Sequence, residues 1–161
     1  MINITNRVKA IIEKLNIYSP PVPVEKVAEL FSLKIVYYSK FPDSVSGAII
    51  QEDGLNAIGV NSNHPEVRQR FTIAHELGHY IMGHDNASII DDTFDKPTNK
   101  EQEANKFAAE LLMPRSMLKK DIEKKEYNIP MLAKEYEVSE QAMSIRLLET
   151  GFINKIKSPK V

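Results

Sequence analysis

Phe71-Thr72-Ile73-Ala74-His75-Glu76-Leu77-Gly78-His79-Tyr80 is the stretch on which the reading of this 161-residue chain turns. It falls inside a helix expected to open at Pro65, where a missing N–H costs nothing, and to run to about Met82, with Gly83 as its stop. Residues four apart share one face of a helix, so the imidazoles of His75 and His79 can converge on a single ion. Glu76 is rotated by about 100° from His75, which sets its carboxylate beside such an ion rather than on it. From there it can take a proton from water, the task this spacing serves in hydrolytic metal centres. With only four histidines in the chain, a chance match at three fixed positions should arise in under about one in a hundred sequences. Gly78 lowers helix stability by about 1 kcal/mol relative to alanine, so it reads as room for a close neighbour.

A zinc site that hydrolyses its substrate takes three protein ligands and keeps one position open. No further histidine follows His79 at the spacing of a three-histidine site, so a carboxylate is the natural third donor. Glu101 and Glu103 open the next helix, expected from about Thr98 to Met113 and ended by Pro114. Ala104, Phe107, Ala108, Leu111 and Leu112 mark its buried stripe; Glu101 lies roughly 50° from the stripe centre and Glu103 roughly 110°. Glu101 is therefore the favoured third ligand, with Glu103 held as the alternative. A competing role exists for Glu101, because Thr98-x-x-Glu101 also matches a capping box. Asn105, one turn on, is placed to hydrogen-bond a ligand.

The remaining candidates read as structure. His84, five residues after His79, is about 140° around the helix and off the ligand face, so a helix-end hydrogen bond is expected of it. His64 belongs to the helix start before Pro65, and Tyr80 to the core. Upstream, Val8, Ile11, Ile12 and Leu15 give a helix over residues 6–16, ended by the proline cluster Pro20, Pro21 and Pro23. Val24, Val27, Ala28 and Phe31 give a second. Leu33–Tyr38, Ser46–Gln51 and Leu55–Asn61 are strand candidates, the last two joined by Asp53-Gly54, which accepts positive φ; a three-stranded meander is expected. Residues 84–98, polar and unusually long for a connection, read as a loop bordering a cleft.

Bulk composition sets limits on partners. Hydrophobic residues at 42% and charged residues at 27% are ordinary for a chain with a real core, and a net charge of −1 gives no general attraction for nucleic acid or anionic lipid. Cysteine is absent, which excludes disulfides, thiol catalysis and cysteine-ligated zinc. No signal-like or membrane-spanning apolar run is present, and a cytoplasmic setting is expected.

Arg70-Phe-Thr-Ile-Ala-His-Glu-Leu-Gly-His79, followed by Glu101-Gln-Glu-Ala-Asn-Lys-Phe-Ala-Ala-Glu-Leu-Leu-Met-Pro114, resembles the ImmA/IrrE metallopeptidases. Val22-Pro-Val-Glu-Lys-Val-Ala is similar to the early helix of that family. The resemblance implies one zinc ion per chain on His75, His79 and Glu101. It also implies a protein substrate, a helix-turn-helix repressor whose cleavage releases transcription in a mobile element or a stress response.

Leu132–Leu148 has the pattern of two helices about a turn at Val138-Ser139, with Ala142, Ile145 and Leu148 expected inward. Residues 131–150 hold four acids against Lys134 and Arg146, a poor balance for phosphate contacts, so DNA binding is disfavoured. Packing, or docking of a repressor, remains for this segment. The expectation is an α+β single domain, with a small antiparallel sheet packed on a helical set that carries the zinc site. Its parts are helices and sheet in residues 1–62, zinc-site helices in 63–114 and helix-turn-helix-like helices with a tail in 115–161. The expected activity is zinc-dependent peptide-bond hydrolysis with Glu76 as general base. The rival is a non-catalytic regulator whose metal site is structural and which binds a repressor or DNA.

Overall fold

A computed structural model describes residues 3–84, 98–124 and 126–156. The long loop expected over residues 84–98 lies almost wholly outside them. The described chain is α+β, with helices α1 (Ile4–Lys14), α2 (Val24–Leu30), α3 (Glu66–Met82), α4 (Asn99–Leu112), α5 (Arg115–Lys124), α6 (Ile129–Tyr136) and α7 (Glu140–Thr150), and strands β1 (Lys34–Tyr38), β2 (Gly47–Glu52) and β3 (Leu55–Asn61). A short 3-10 turn, Ile153–Lys155, follows. One hydrophobic cluster runs from Val8 and Val24 through Ile58, Leu77 and Phe107 to Met143 and Phe152, so the helices and β3 bury their apolar faces against the same core. No described helix is long and apolar enough to cross a membrane.

The sheet departs from the expected meander. Its order is β1-β3-β2; β2 and β3 are antiparallel, but β1 pairs parallel to β3, with Lys34 opposite Ala57 and Tyr38 opposite Asn61. The sheet is mixed. The β2–β3 hairpin is locally encoded, since Asp53 (φ 49°) and Gly54 (φ 79°) both take the left-handed conformation that a tight two-residue turn requires. Nothing local assigns a partner to β1. Helix α2 packs on both α3 and β1 and so delivers β1 to the free edge of β3. The link back to β2 is then tied down by Asn61, whose side-chain amide donates to the carbonyls of Pro42 and Val45, and by the His64 ring, which meets the Asp43 carbonyl at 3.0 Å.

Gly47, the first residue of β2, fits where a Cβ would lie 2.5 Å from the Gly59 carbonyl oxygen and 2.6 Å from the Thr72 methyl. The sheet thus sits directly on α3, and residues 72–79 of that helix are buried on every side. At the other end, α7 buries Met143, Arg146, Leu147 and Thr150. Of the inward stripe expected there, Ala142 packs against the core, but Ile145 is 49% and Leu148 63% exposed. Polar members disguise the true stripe. Arg146 is buried because its guanidinium pairs with Glu110 and donates to the Met113 carbonyl, while Thr150 donates to the Arg146 carbonyl.

Candidate metal centre

Helices α3 and α4 build the site together. Their contact is close because Gly78 has no side chain; a Cβ there would stand 3.1 Å from the Ala104 Cα, the Ala104 carbonyl oxygen and the Phe107 Cβ. The glycine read as room for a neighbour makes room for the α4 backbone. Ala104 lies about one turn after Glu101, so the same crossing sets Glu101 against the histidine face of α3. Thr98 caps α4 by accepting from the Glu101 N–H at 3.2 Å, while the Glu101 carboxylate reaches across to the histidines. The backbone takes the capping role and the side chain is left for the site.

His75 Nε2 and His79 Nε2 are 3.0 Å apart, Glu101 Oε2 is 3.1 Å from His75 Nε2, and Glu101 Oε1 is 3.0 Å from His79 Nε2. A tetrahedral zinc ion with bonds near 2.0–2.1 Å holds its ligands roughly 3.3 Å apart, so this spacing suits one ion. Among the described residues His75, His79 and Glu101 form a group able to hold a metal. Glu103, the alternative, points elsewhere.

One assignment of the ring protons satisfies every hydrogen bond behind the candidate ligands. His75 Nδ1–H donates to Asn105 Oδ1 at 2.8 Å. His79 Nδ1–H donates to His84 Nδ1 at 2.9 Å, and His84 Nε2–H donates to Glu103 Oε2 at 2.9 Å. This arrangement satisfies every outer contact and leaves both Nε2 lone pairs facing the Glu101 carboxylate with no proton between them. A cation is the chemistry that such a set lacks. Burial pushes the His75 imidazole below its ordinary range against the pull of Glu101. It pushes His79 down to about 4, with His75 adding to the effect. Both rings are thus neutral, as ligands must be.

Glu76 is 2% exposed, and its Oε1 has no hydrogen-bond partner. Burial, assisted by the charge of Glu101, raises its carboxyl to about 8; a cation on the neighbouring ligands would draw that value down towards neutrality. Phe71 stacks on His75 with ring centroids 6.5 Å apart. His84 is off the ligand face, and its backbone N–H does bond the His79 carbonyl at 2.9 Å. Its ring contact with His79 was not foreseen, because it depends on the left-handed turn at Gly83 (φ 72°). His64 stays in the loop-binding network, and Tyr80 packs edge-on against Phe31.

The peptidase family described as the IrrE N-terminal-like domain matches residues 30–148, most of the chain and all of the site. The chain belongs to this family. A Mycobacterium tuberculosis transcriptional regulator has a similar structure, with a TM-score of 0.69 and 20% identity over 89% of this chain. The match takes in 46% of that regulator, so this chain spans under half its length, and the likeness is one of fold. None of the curated proteins compared matches the chain. The IrrE-like domain therefore supplies a peptidase-type scaffold, on which His75, His79 and Glu101 form a group able to hold a metal and Glu76 is buried on the same helix as the histidines.

Proposed function

We propose that this IrrE-like domain is a zinc-dependent endopeptidase, with His75, His79 and Glu101 as metal ligands and Glu76 as general base. The observation that carries the reading is the meeting of three ligand groups at 3.0–3.1 Å with their outer ring N–H groups already satisfied. A bound zinc ion supplies Lewis acidity, polarising a carbonyl oxygen and making water easier to deprotonate. Asn105 fixes the His75 ring, and His84, braced by Glu103, fixes that of His79. The Glu76 carboxylate takes the proton of the attacking water and hands it to the nitrogen of the departing amine, so one group acts first as base and then as acid. Burial favours its protonated form, the form that gives the proton to the amine, and a cation on the neighbouring residues would restore the carboxylate that the first transfer needs.

The substrate we propose is a helix-turn-helix transcriptional repressor, cleaved to relieve repression, with a cytoplasmic setting. Family membership supports a protein substrate. A second reading, a non-catalytic regulator with a structural metal site, draws on the similarity to a chain named a transcriptional regulator. Incubating a neighbouring-gene repressor with the zinc-loaded protein and with its Glu76→Gln variant, followed by intact-mass spectrometry, separates the two. Discrete fragments with the parent protein alone support the peptidase. An effect on repression that persists in the variant supports the regulator.

A further inference from the structure

A groove of about 850 Å³ runs between α3, α4 and α7. Val67 and Phe71 form one wall, Ala109 and Met113 the floor, and Ala142 and Ile145 the far wall. Two observations join it to the metal centre. Phe71, which lines it, stacks on the ring of His75, and Asn105, which also lines it, accepts the His75 Nδ1–H. The groove therefore borders the outer, Nδ1 side of the His75 ring, beginning one helical turn, about 6 Å, from His75 along α3. Its far wall explains the unexpected face of α7: Ile145, half exposed, turns towards the groove while Met143 and Leu147 fill the core.

We infer that this groove is the substrate subsite and that it selects an extended peptide bearing bulky apolar side chains. The inference rests on the peptidase reading and deepens it. An extended chain advances about 3.3 Å per residue, so a strand crossing the metal centre would place side chains from about two residues beyond the reacting bond over Phe71 and onward. The lining is mainly hydrocarbon, with polar groups such as Arg68, Gln102 and Asn105 among it, the usual make-up of a pocket that draws affinity from apolar contact and orientation from a few polar groups. Ala142 and Ile145 are then specificity-determining residues: they meet the substrate without touching the reacting atoms. The helix-turn-helix-like unit would serve the enzyme as a wall of its cleft.

The test uses zinc-chelating hydroxamates on the zinc-loaded full chain, so that it needs no turnover. Acetohydroxamate reports the metal alone. Hydroxamates extended on either side of the chelating group by three Ala, Leu, Phe or Glu residues report the groove. The expected result is binding of the Leu or Phe compounds at least about tenfold tighter than the Ala and Glu compounds, the effect of burying one or two large apolar side chains. That preference should collapse in Ile145→Asp and in Ala142→Trp, with acetohydroxamate binding and zinc content unchanged. Ile145 is exposed enough for the first variant to fold, and the second fills the groove with an apolar group. Equal binding across the series, or a preference that survives both variants, overturns the inference while leaving the peptidase reading intact. Failure of acetohydroxamate to bind removes the metal reading beneath it. A dimer in solution that Ile145→Asp dissociates would assign the groove to a second copy instead.

Discussion

Gly78→Ala is the substitution in which the helix crossing and the metal centre are most tightly coupled. On an isolated helix this change would stabilise by about 1 kcal/mol. Here the new methyl would lie 3.1 Å from two backbone atoms of Ala104 and from the Phe107 Cβ, against an ordinary contact distance of about 3.5–4.0 Å. Side chains cannot relieve a clash with backbone, so α4 must move outward by about 0.5 Å. Overpacking of this kind costs about 1–3 kcal/mol, which cancels or exceeds the helix gain. The same displacement carries Glu101 away from its present 3.0–3.1 Å contacts with the histidines, to a separation wider than the roughly 3.3 Å a tetrahedral zinc ion accepts. We expect zinc affinity to fall by about tenfold or more in competition with a chromogenic chelator. The melting temperature of the metal-free protein should be unchanged or lower by up to about 8 °C. A variant that is more stable by about 1 kcal/mol and binds zinc as tightly as the parent would refute the claim that Gly78 sets the α3–α4 spacing.

Three further outcomes follow from the same geometry. Removing the outer support, by His84→Ala or Glu103→Gln, should weaken zinc by about 10–100-fold with little loss of fold; equal zinc affinity in a chelator titration would show the contact to be incidental. In the metal-free protein Glu76 carries a raised carboxyl pKa, about 8 against 4.5, so its contribution is complete below pH 4.5 and lost as pH rises through 8. The lowered histidines lose stability on the acid side of 6.5. Between pH 6.5 and 8 Glu76 is therefore the group that dominates among the described residues, and unfolding free energy should fall by about 1–2 kcal/mol in denaturant titrations, a slope that Glu76→Gln abolishes. A slope that persists in the variant would place its origin elsewhere. Gly47→Ala should destabilise by about 1–3 kcal/mol, because the methyl meets the Gly59 carbonyl and Thr72 at once; a neutral melt would contradict the packing of β2 on α3.

The legible parts of this protein are those whose information is local. The spacing of His75, Glu76 and His79, the Asp53-Gly54 turn and the tilt of Glu101 towards the stripe of Ala104 and Phe107 can all be read within one element. The order of the sheet was not legible, since β1 finds β3 through the packing of α2 on α3, and strand sequences name no partner. The face of α7 was misread because Arg146 becomes buried only through Glu110 on another helix. The relay from His79 through His84 to Glu103 was hidden for the same reason. It requires the left-handed turn at Gly83 and the approach of α4, which joins residues 79, 84 and 103 across two elements.

The central claim is metal-dependent hydrolysis with Glu76 as base, and the most direct test is a search for new peptide termini. A peptide library prepared by tryptic digestion of a proteome would be incubated with the zinc-loaded protein, with its Glu76→Gln variant and with the chelated parent, and the products sequenced by mass spectrometry. The account predicts new termini with the zinc-loaded parent alone, enriched in bulky apolar residues near the cut. New termini at equal levels in all three samples, or in none of them, would contradict it.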